Sequence, residues 1–259
     1  TVVCIFSDLY FQSSNLTIPF IITTVISSVV TFAGIPQLKK IKIKQIIREE
    51  GPKNHFVKQG TPTMGGIFFI PVGIIISNLL YFNKEDYKII LTLSFLIIFF
   101  MLIGMIDDLL SLKKQLNTGL TSNQKLILQL FISLVFIIIC ATNNFIPHNI
   151  QIANKIVNIK NFIYPLGIFV LLAESNSTNL TDGLDGLLSG CSALIFTGLA
   201  INILIANSNN NQTLAPLCIV MAGACMGFLF LNKYPAKLFM GDSGSLAIGA
   251  SLGGIALIS

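Results

Sequence analysis

The 259-residue chain is 53% hydrophobic and only 10% charged, with a formal net charge of +5 and a mean hydropathy of +0.81. That composition excludes a water-soluble globular domain, whose surface cannot hide so much apolar area, and indicates an integral membrane protein. The charge excess requires no nucleic-acid partner: Lys39, Lys40, Lys42, Lys44 and Arg48 cluster beside the first apolar run, where such residues meet anionic membrane lipid or fix topology, and no base-reading or stacking motif accompanies them.

A helix needs about 20 apolar residues to cross a hydrocarbon core. In chain order, runs of this kind occupy residues 18–35, 66–82, 88–106, 125–142, 162–174, 186–206 and 214–231, and an eighth begins near 245. The runs at 66–82 and 162–174 are short. Backbone polar groups in lipid must be satisfied within a segment, and none of the runs alternates like a barrel strand. The expected fold is therefore all-α, a polytopic membrane helix bundle with about eight spans, forming one domain over 1–259.

Lys and Arg are distributed unevenly between the two sides of this topology. The loops near 36–60, 107–125, 174–185 and 232–244 carry seven, three, none and two of them, whereas the other side carries four in all. Positive loops stay on the cytoplasmic-type side during insertion. The same parity places Asp107, Asp108, Asp182, Asp185 and Asp242 together on that inner side. Only 11 acids occur in the chain, and one at mid-bilayer costs about 2.5–3.5 kcal/mol, so acids gathered at helix ends read as a functional site.

The five cysteines, Cys4, Cys140, Cys191, Cys218 and Cys225, lack metal-ligand spacing and read as small core residues. His55 and His148 are too few for an imidazole metal site. Zinc is thereby disfavoured, and carboxylates such as Asp107, Asp108 and Asp242 suit Mg²⁺ or Mn²⁺ shared with substrate phosphates. Lys113, Lys114 and Lys125 flank the Asp pair. Gly241-Asp242-Ser243-Gly244-Ser245 opens a helix, whose first backbone N–H groups are expected to face an anion. Gly60-Thr61-Pro62-Thr63-Met64-Gly65-Gly66 reads as two constrained turns entering a span.

Four segments, Lys58 with GTPTMGG at 60–66, IDD at 106–108, NSTNLTDGLDGL at 176–187 and KLFMGDSGSLAIG at 237–249, together resemble the phospho-N-acetylmuramoyl-pentapeptide transferases. These form the MraY family within the polyprenyl-phosphate N-acetylhexosamine-1-phosphate transferases. The motifs occur in family order and on one membrane side, and the resemblance covers nearly the whole chain. It implies transfer of phospho-MurNAc-pentapeptide from UDP-MurNAc-pentapeptide to polyprenyl phosphate, giving lipid I and UMP with Mg²⁺. It further implies about ten spans in the complete family fold, members that are often homodimers, and a bacterial inner or plastid membrane with the active site on the cytoplasmic or stromal face.

The resemblance also implies residue roles. Asp242 falls on the metal-coordinating Asp, and Asp107 and Asp108 on the paired acids, the first deprotonating the lipid phosphate and the second assisting metal or phosphate placement. Asn179, Asp182 and Asp185 match the nucleoside-side motif, Phe239 the ring that stacks on uracil, Lys58 a nucleotide contact, Thr63 and Gly241 nucleoside-pocket positions, and Lys125 a phosphate-binding Lys. Ser111 stands where the family often has a basic residue, a place Lys113 or Lys114 is able to fill. The family's His-rich inner loop and last spans would follow Ser259, so the domain reads as incomplete at its C-terminus. Alternatives are a sister GlcNAc-1-phosphate transferase, an ion-coupled transporter, and a noncatalytic relative.

Overall fold

The computed structural model describes residues 4–5, 8, 16–40, 61–82, 87–114, 119–152, 155–206 and 211–259. Lys58 and His55, with Lys42, Lys44 and Arg48, lie outside the described residues. Among the described residues the chain forms eight numbered α-helices: α1 (Thr17–Lys40), α2 (Gly66–Tyr81), α3 (Tyr87–Lys114), α4 (Ser122–Thr142), α5 (Ile163–Thr181), α6 (Leu187–Ala206), α7 (Asn211–Asn232) and α8 (Asp242–Ile258). Each expected apolar run coincides with one of them, and the molecule is a polytopic helix bundle.

Among the described residues, five segments are long and apolar enough to cross a membrane: α1, α3, α4, α6 and the Thr213–Asn232 part of α7. Helix α2 has 16 residues, and α8 has 17 up to Ile258. α8 is the axis of the bundle, packed by α3, α5 and α2, with Leu246, Ala247, Ile248, Ala250 and Ile255 wholly buried. Its small residues allow the close helix approach on which packing in lipid relies. Gly104 of α3 shows how close: a Cβ there would run into the backbone of Asp242 and Ser243.

The peripheral helices have the opposite character. Val25, Val29 and Phe32 of α1 and Ile127, Phe131 and Ile138 of α4 are exposed, as lipid-facing positions should be. The inner face of α1 is small and polar, and Ser27 Oγ and Ser28 Oγ donate to Ala224 O and Gly227 O of α7 at 2.8 and 3.1 Å. Asp8 accepts from the N–H groups of Leu16 and Thr17 at 2.7 and 2.9 Å, capping the start of α1.

Two helix ends that bear on the site, and one added element, depart from the sequence expectation. The run at 88–106 continues as helix to Lys114, so Asp107 and Asp108 are helical rather than in a loop. Leu109, Leu110 and Leu112 extend the apolar pattern, and Lys113 and Lys114 complement the helix's C-terminal dipole. The run at 162–174 continues to Thr181, because Ser175, Asn176, Thr178 and Asn179 of its second half turn toward the bundle, while Glu174 and Ser177 stay exposed. Finally, the segment between α4 and α5 contains an antiparallel hairpin, β1 (Asn149–Ile152) and β2 (Lys155–Asn158), with Asn149 opposite Asn158. This small sheet is the one exception to the all-α expectation among the described residues.

Candidate functional site

Two of the sequence motifs join backbone to backbone at the end of the bundle where α3 and α5 finish and α8 begins. Phe239 N donates to Pro62 O at 2.9 Å, Gly65 N to Phe239 O at 2.8 Å and Gly66 N to Met240 O at 2.9 Å. The segment entering α2 and the segment entering α8 thus lie side by side, and Thr63 comes against Gly241. Gly241 has φ +74°, a left-handed value that only glycine adopts freely, and a Cβ there would press on Asp108 Oδ2.

Lacking a side chain, Gly241 cannot cap α8, and the cap comes from another helix. Asp108 of α3 accepts from Asp242 N and Ser243 N at 3.0 and 3.1 Å, one oxygen each. A carboxylate here satisfies two of the helix's orphan donors and opposes its positive end. The next two amides, Gly244 N and Ser245 N, turn back to Gly241 O at 3.0 and 3.1 Å. The start of α8 therefore offers no free N–H cradle to an incoming anion, contrary to the sequence expectation, because Asp108 already fills that place.

Around Asp242 three elements converge. Lys125, in the first turn of α4, places Nζ 2.5 Å from Asp242 Oδ2 and 3.4 Å from Asp107 Oδ2. Asn179, in the last turn of α5, donates Nδ2 to Asp242 Oδ1 at 2.8 Å and to Ser245 Oγ at 2.9 Å. Asp107 is only 8% exposed, and its Oδ1 accepts from Leu120 N at 2.9 Å. That bond docks the 119–121 turn on α3. Thr121 then starts α4 with a reciprocal capping box, its Oγ1 accepting from Gln124 N while Gln124 Oε1 accepts from Thr121 N. Lys114 Nζ braces the same turn by donating to Gly119 O at 2.7 Å. Local capping thus aims Lys125 across the gap at Asp107 and Asp242.

The charge balance decides what this corner accepts. Among the described residues, Lys125 is the one ammonium paired with Asp107 and Asp242, and Asp108 stands beside them on the α8 N-terminus, leaving a formal excess of negative charge on hard oxygen atoms there. Among the described residues no group of three or more His, Cys, Asp or Glu is arranged to hold a metal ion by itself. An ion here would draw on Asp242 and Asp107 and take its other ligands from phosphate and water, which is the habit of Mg²⁺. The donor set fits that ion.

Asp182 and Asp185 lie on the turn that follows α5 and belong to a second arrangement. Asp185 Oδ2 accepts from Ala236 N at 3.1 Å. Asn232, at the end of α7, accepts from Gly186 N at 3.1 Å and Ser189 Oγ at 2.9 Å, and donates to Leu238 O at 3.0 Å. Together these bonds fasten the 182–186 turn to the segment that carries Phe239, which is itself partly buried. Asn232 was not singled out in the sequence, where its only signal is a polar residue at the edge of an apolar run, and Ser245 and Thr178, joined by a Thr178 Oγ1 bond to Ser245 O at 2.9 Å, stood there inside longer motifs without a role of their own.

Comparison with known proteins agrees with the motifs. A model for glycosyl transferase family 4 matches residues 90–259, and a signature of phospho-N-acetylmuramoyl-pentapeptide-transferase matches residues 58–70. The chain is 82% identical over 259 residues to the phospho-N-acetylmuramoyl-pentapeptide-transferase of Prochlorococcus marinus strain NATL2A, covering all of this chain and 70% of that protein. It is 47% identical over 254 residues to the enzyme of the same name from Prochlorococcus marinus strain MIT 9313, over 98% of this chain and 68% of the relative. It is also 47% identical to that of Synechococcus sp. strain CC9605, over 98% of this chain and 73% of the relative.

Proposed function

Because the chain belongs to the phospho-N-acetylmuramoyl-pentapeptide transferase family, we propose that it transfers phospho-MurNAc-pentapeptide from its UDP carrier to undecaprenyl or another polyprenyl phosphate. The products are lipid I and UMP, within peptidoglycan synthesis. The observation that carries the chemistry is the meeting of Lys125 and Asn179 on the two oxygens of Asp242, beside Asp107. One end of a membrane bundle thereby gathers the charges that phosphoryl transfer needs where a lipid phosphate and a water-soluble nucleotide are both able to reach it.

Asp107 takes the proton of the attacking lipid phosphate through Oδ2, its other oxygen being held by Leu120 N. The freed oxygen forms a bond to the sugar-side phosphorus while the bond from that phosphorus to the oxygen of UMP breaks, and UMP carries the charge away. Lys125 meets the phosphate oxygens as this charge shifts, and Asn179 keeps the Asp242 carboxylate oriented. Asp108 acts by holding the Asp242 turn in place. Asp242, with Asp107 within reach, would hold Mg²⁺, which would supply charge neutralisation on the phosphate oxygens. The nucleoside end is assigned to Phe239, Thr63 and Gly241, with Asp182, Asp185 and Lys58 around it.

The site is assigned to the cytoplasmic side, a reading supported by the 12 Lys and Arg residues in the loops on the Asp side against four on the other. The test is UMP release from UDP-MurNAc-pentapeptide in the presence of polyprenyl phosphate, with UDP-GlcNAc as the competing donor. Release with the muramoyl donor and not with UDP-GlcNAc is expected. Preference for UDP-GlcNAc would reassign the chain to a sister activity.

A further inference from the structure

Lys125 and Asn179 reach Asp242 from different helices, so their meeting point depends on how α4 is seated against α5. One turn along α4 from Lys125, on the same face, lies Gln129. One turn before Asn179 on α5 lies Asn176. Gln129 Oε1 accepts from Asn176 Nδ2 at 2.9 Å, and the same Nδ2 donates to Leu172 O at 2.7 Å within its own helix. The amide of Asn176 is thereby fixed on α5 and presents a fixed donor to α4.

Gln129 is wholly buried, as is Ser133 one turn further along, and both sit in a helix apolar enough to cross a membrane. Gln129 Nε2 and Ser133 Oγ have no hydrogen-bond partner among the described residues. A buried polar group in that condition costs about 1–3 kcal/mol. Met has nearly the shape of Gln and carries no such cost, so stability alone favours Met at position 129. The polar side chain is explained by what its satisfied end does.

We propose that Gln129 is a positioning residue for the transfer reaction: its bond to Asn176 sets the register of α4 on α5 that brings Lys125 and Asn179 onto the two oxygens of Asp242. The inference rests on the transferase reading above. Gln129 touches no reacting atom, and it acts through Lys125 on its own helix and through Asn179 on the helix it holds.

The experiment is steady-state UMP release by Gln129→Met in the full membrane-inserted protein, with thermal unfolding measured in parallel. A small misplacement of charged groups is expected to lower kcat by at least about tenfold while both KM values stay within about twofold, and the unfolding temperature is expected to hold or rise. The exchanged pair Gln129→Asn with Asn176→Gln rebuilds the bond in reverse and should recover most of the lost kcat. A wild-type kcat in Gln129→Met, or a fall in kcat that tracks a fall in unfolding temperature, overturns the proposal. If Gln129→Met does not fold, Asn176→Leu removes the same bond from the other side and is judged by the same outcomes. Absence of UMP release from the wild type would instead overturn the transferase reading, and this proposal with it.

Discussion

Two groups of acids stand at the same end of the bundle, and they are held in different ways. Asp107, Asp108 and Asp242 come from two helices and meet a lysine, an asparagine and a helix N-terminus. Asp185 lies on a turn and accepts from the backbone of Ala236, in a lattice completed by Asn232. In the first group the charge of Asp107 and Asp242 is opposed by the side-chain ammonium of Lys125, a partner that phosphate or a cation is able to replace. In the second an oxygen of Asp185 joins two loops. Sequence position does not distinguish the two groups, since both are acids at the ends of apolar runs.

The largest effect expected from this difference is at Asp242. Asp242→Asn keeps the shape and removes the charge, and UMP release should fall by at least about 100-fold, the scale of losing one preorganised charge-stabilising group. Next is Lys125→Met. It leaves Asp107 and Asp242 uncompensated at side-chain exposures of 11–25%, and should cost about 2 kcal/mol of stability, below the range for fully buried pairs, together with most of the turnover. Thermal unfolding and UMP release measure both.

Asp108→Ala removes both caps from α8. A stability loss of about 1–2 kcal/mol is expected, with a fall in kcat because the Asp242 turn loosens, whereas Asp108→Asn, which keeps one acceptor, should be milder on unfolding. The smallest effect belongs to Asp185→Asn, which retains an oxygen for Ala236 N and should leave kcat within about threefold of wild type. If Asp185→Asn were as damaging as Asp242→Asn, the separation between the two groups would disappear.

The helices were legible because lipid imposes a length and an apolar composition that α1, α3, α4, α6 and α7 obey. The shared face of Asp107, Asp108 and Asp242 was legible from topology, since an even number of spans separates their loops. The capping of α8 was not. Asp108 lies 134 residues before its partner in sequence, and no local pattern announces a cap supplied by another helix. The same holds for Gln129 and Asn176, which appear in the sequence only as isolated amides in apolar surroundings. The extension of α5 to Thr181 was hidden because a polar helix turned toward neighbouring helices has the composition of a loop. The β1–β2 hairpin was overlooked because its strands are only four residues each.

The central claim is that Lys125 and Asp242 work as one charged unit, and a double-mutant cycle of UMP release tests it most directly. If they act together, Lys125→Met combined with Asp242→Asn should be slower than the slower single variant by less than about threefold. If the two losses multiply, each residue works independently, and the convergence of α4, α5 and α8 on one carboxylate is not the basis of the chemistry.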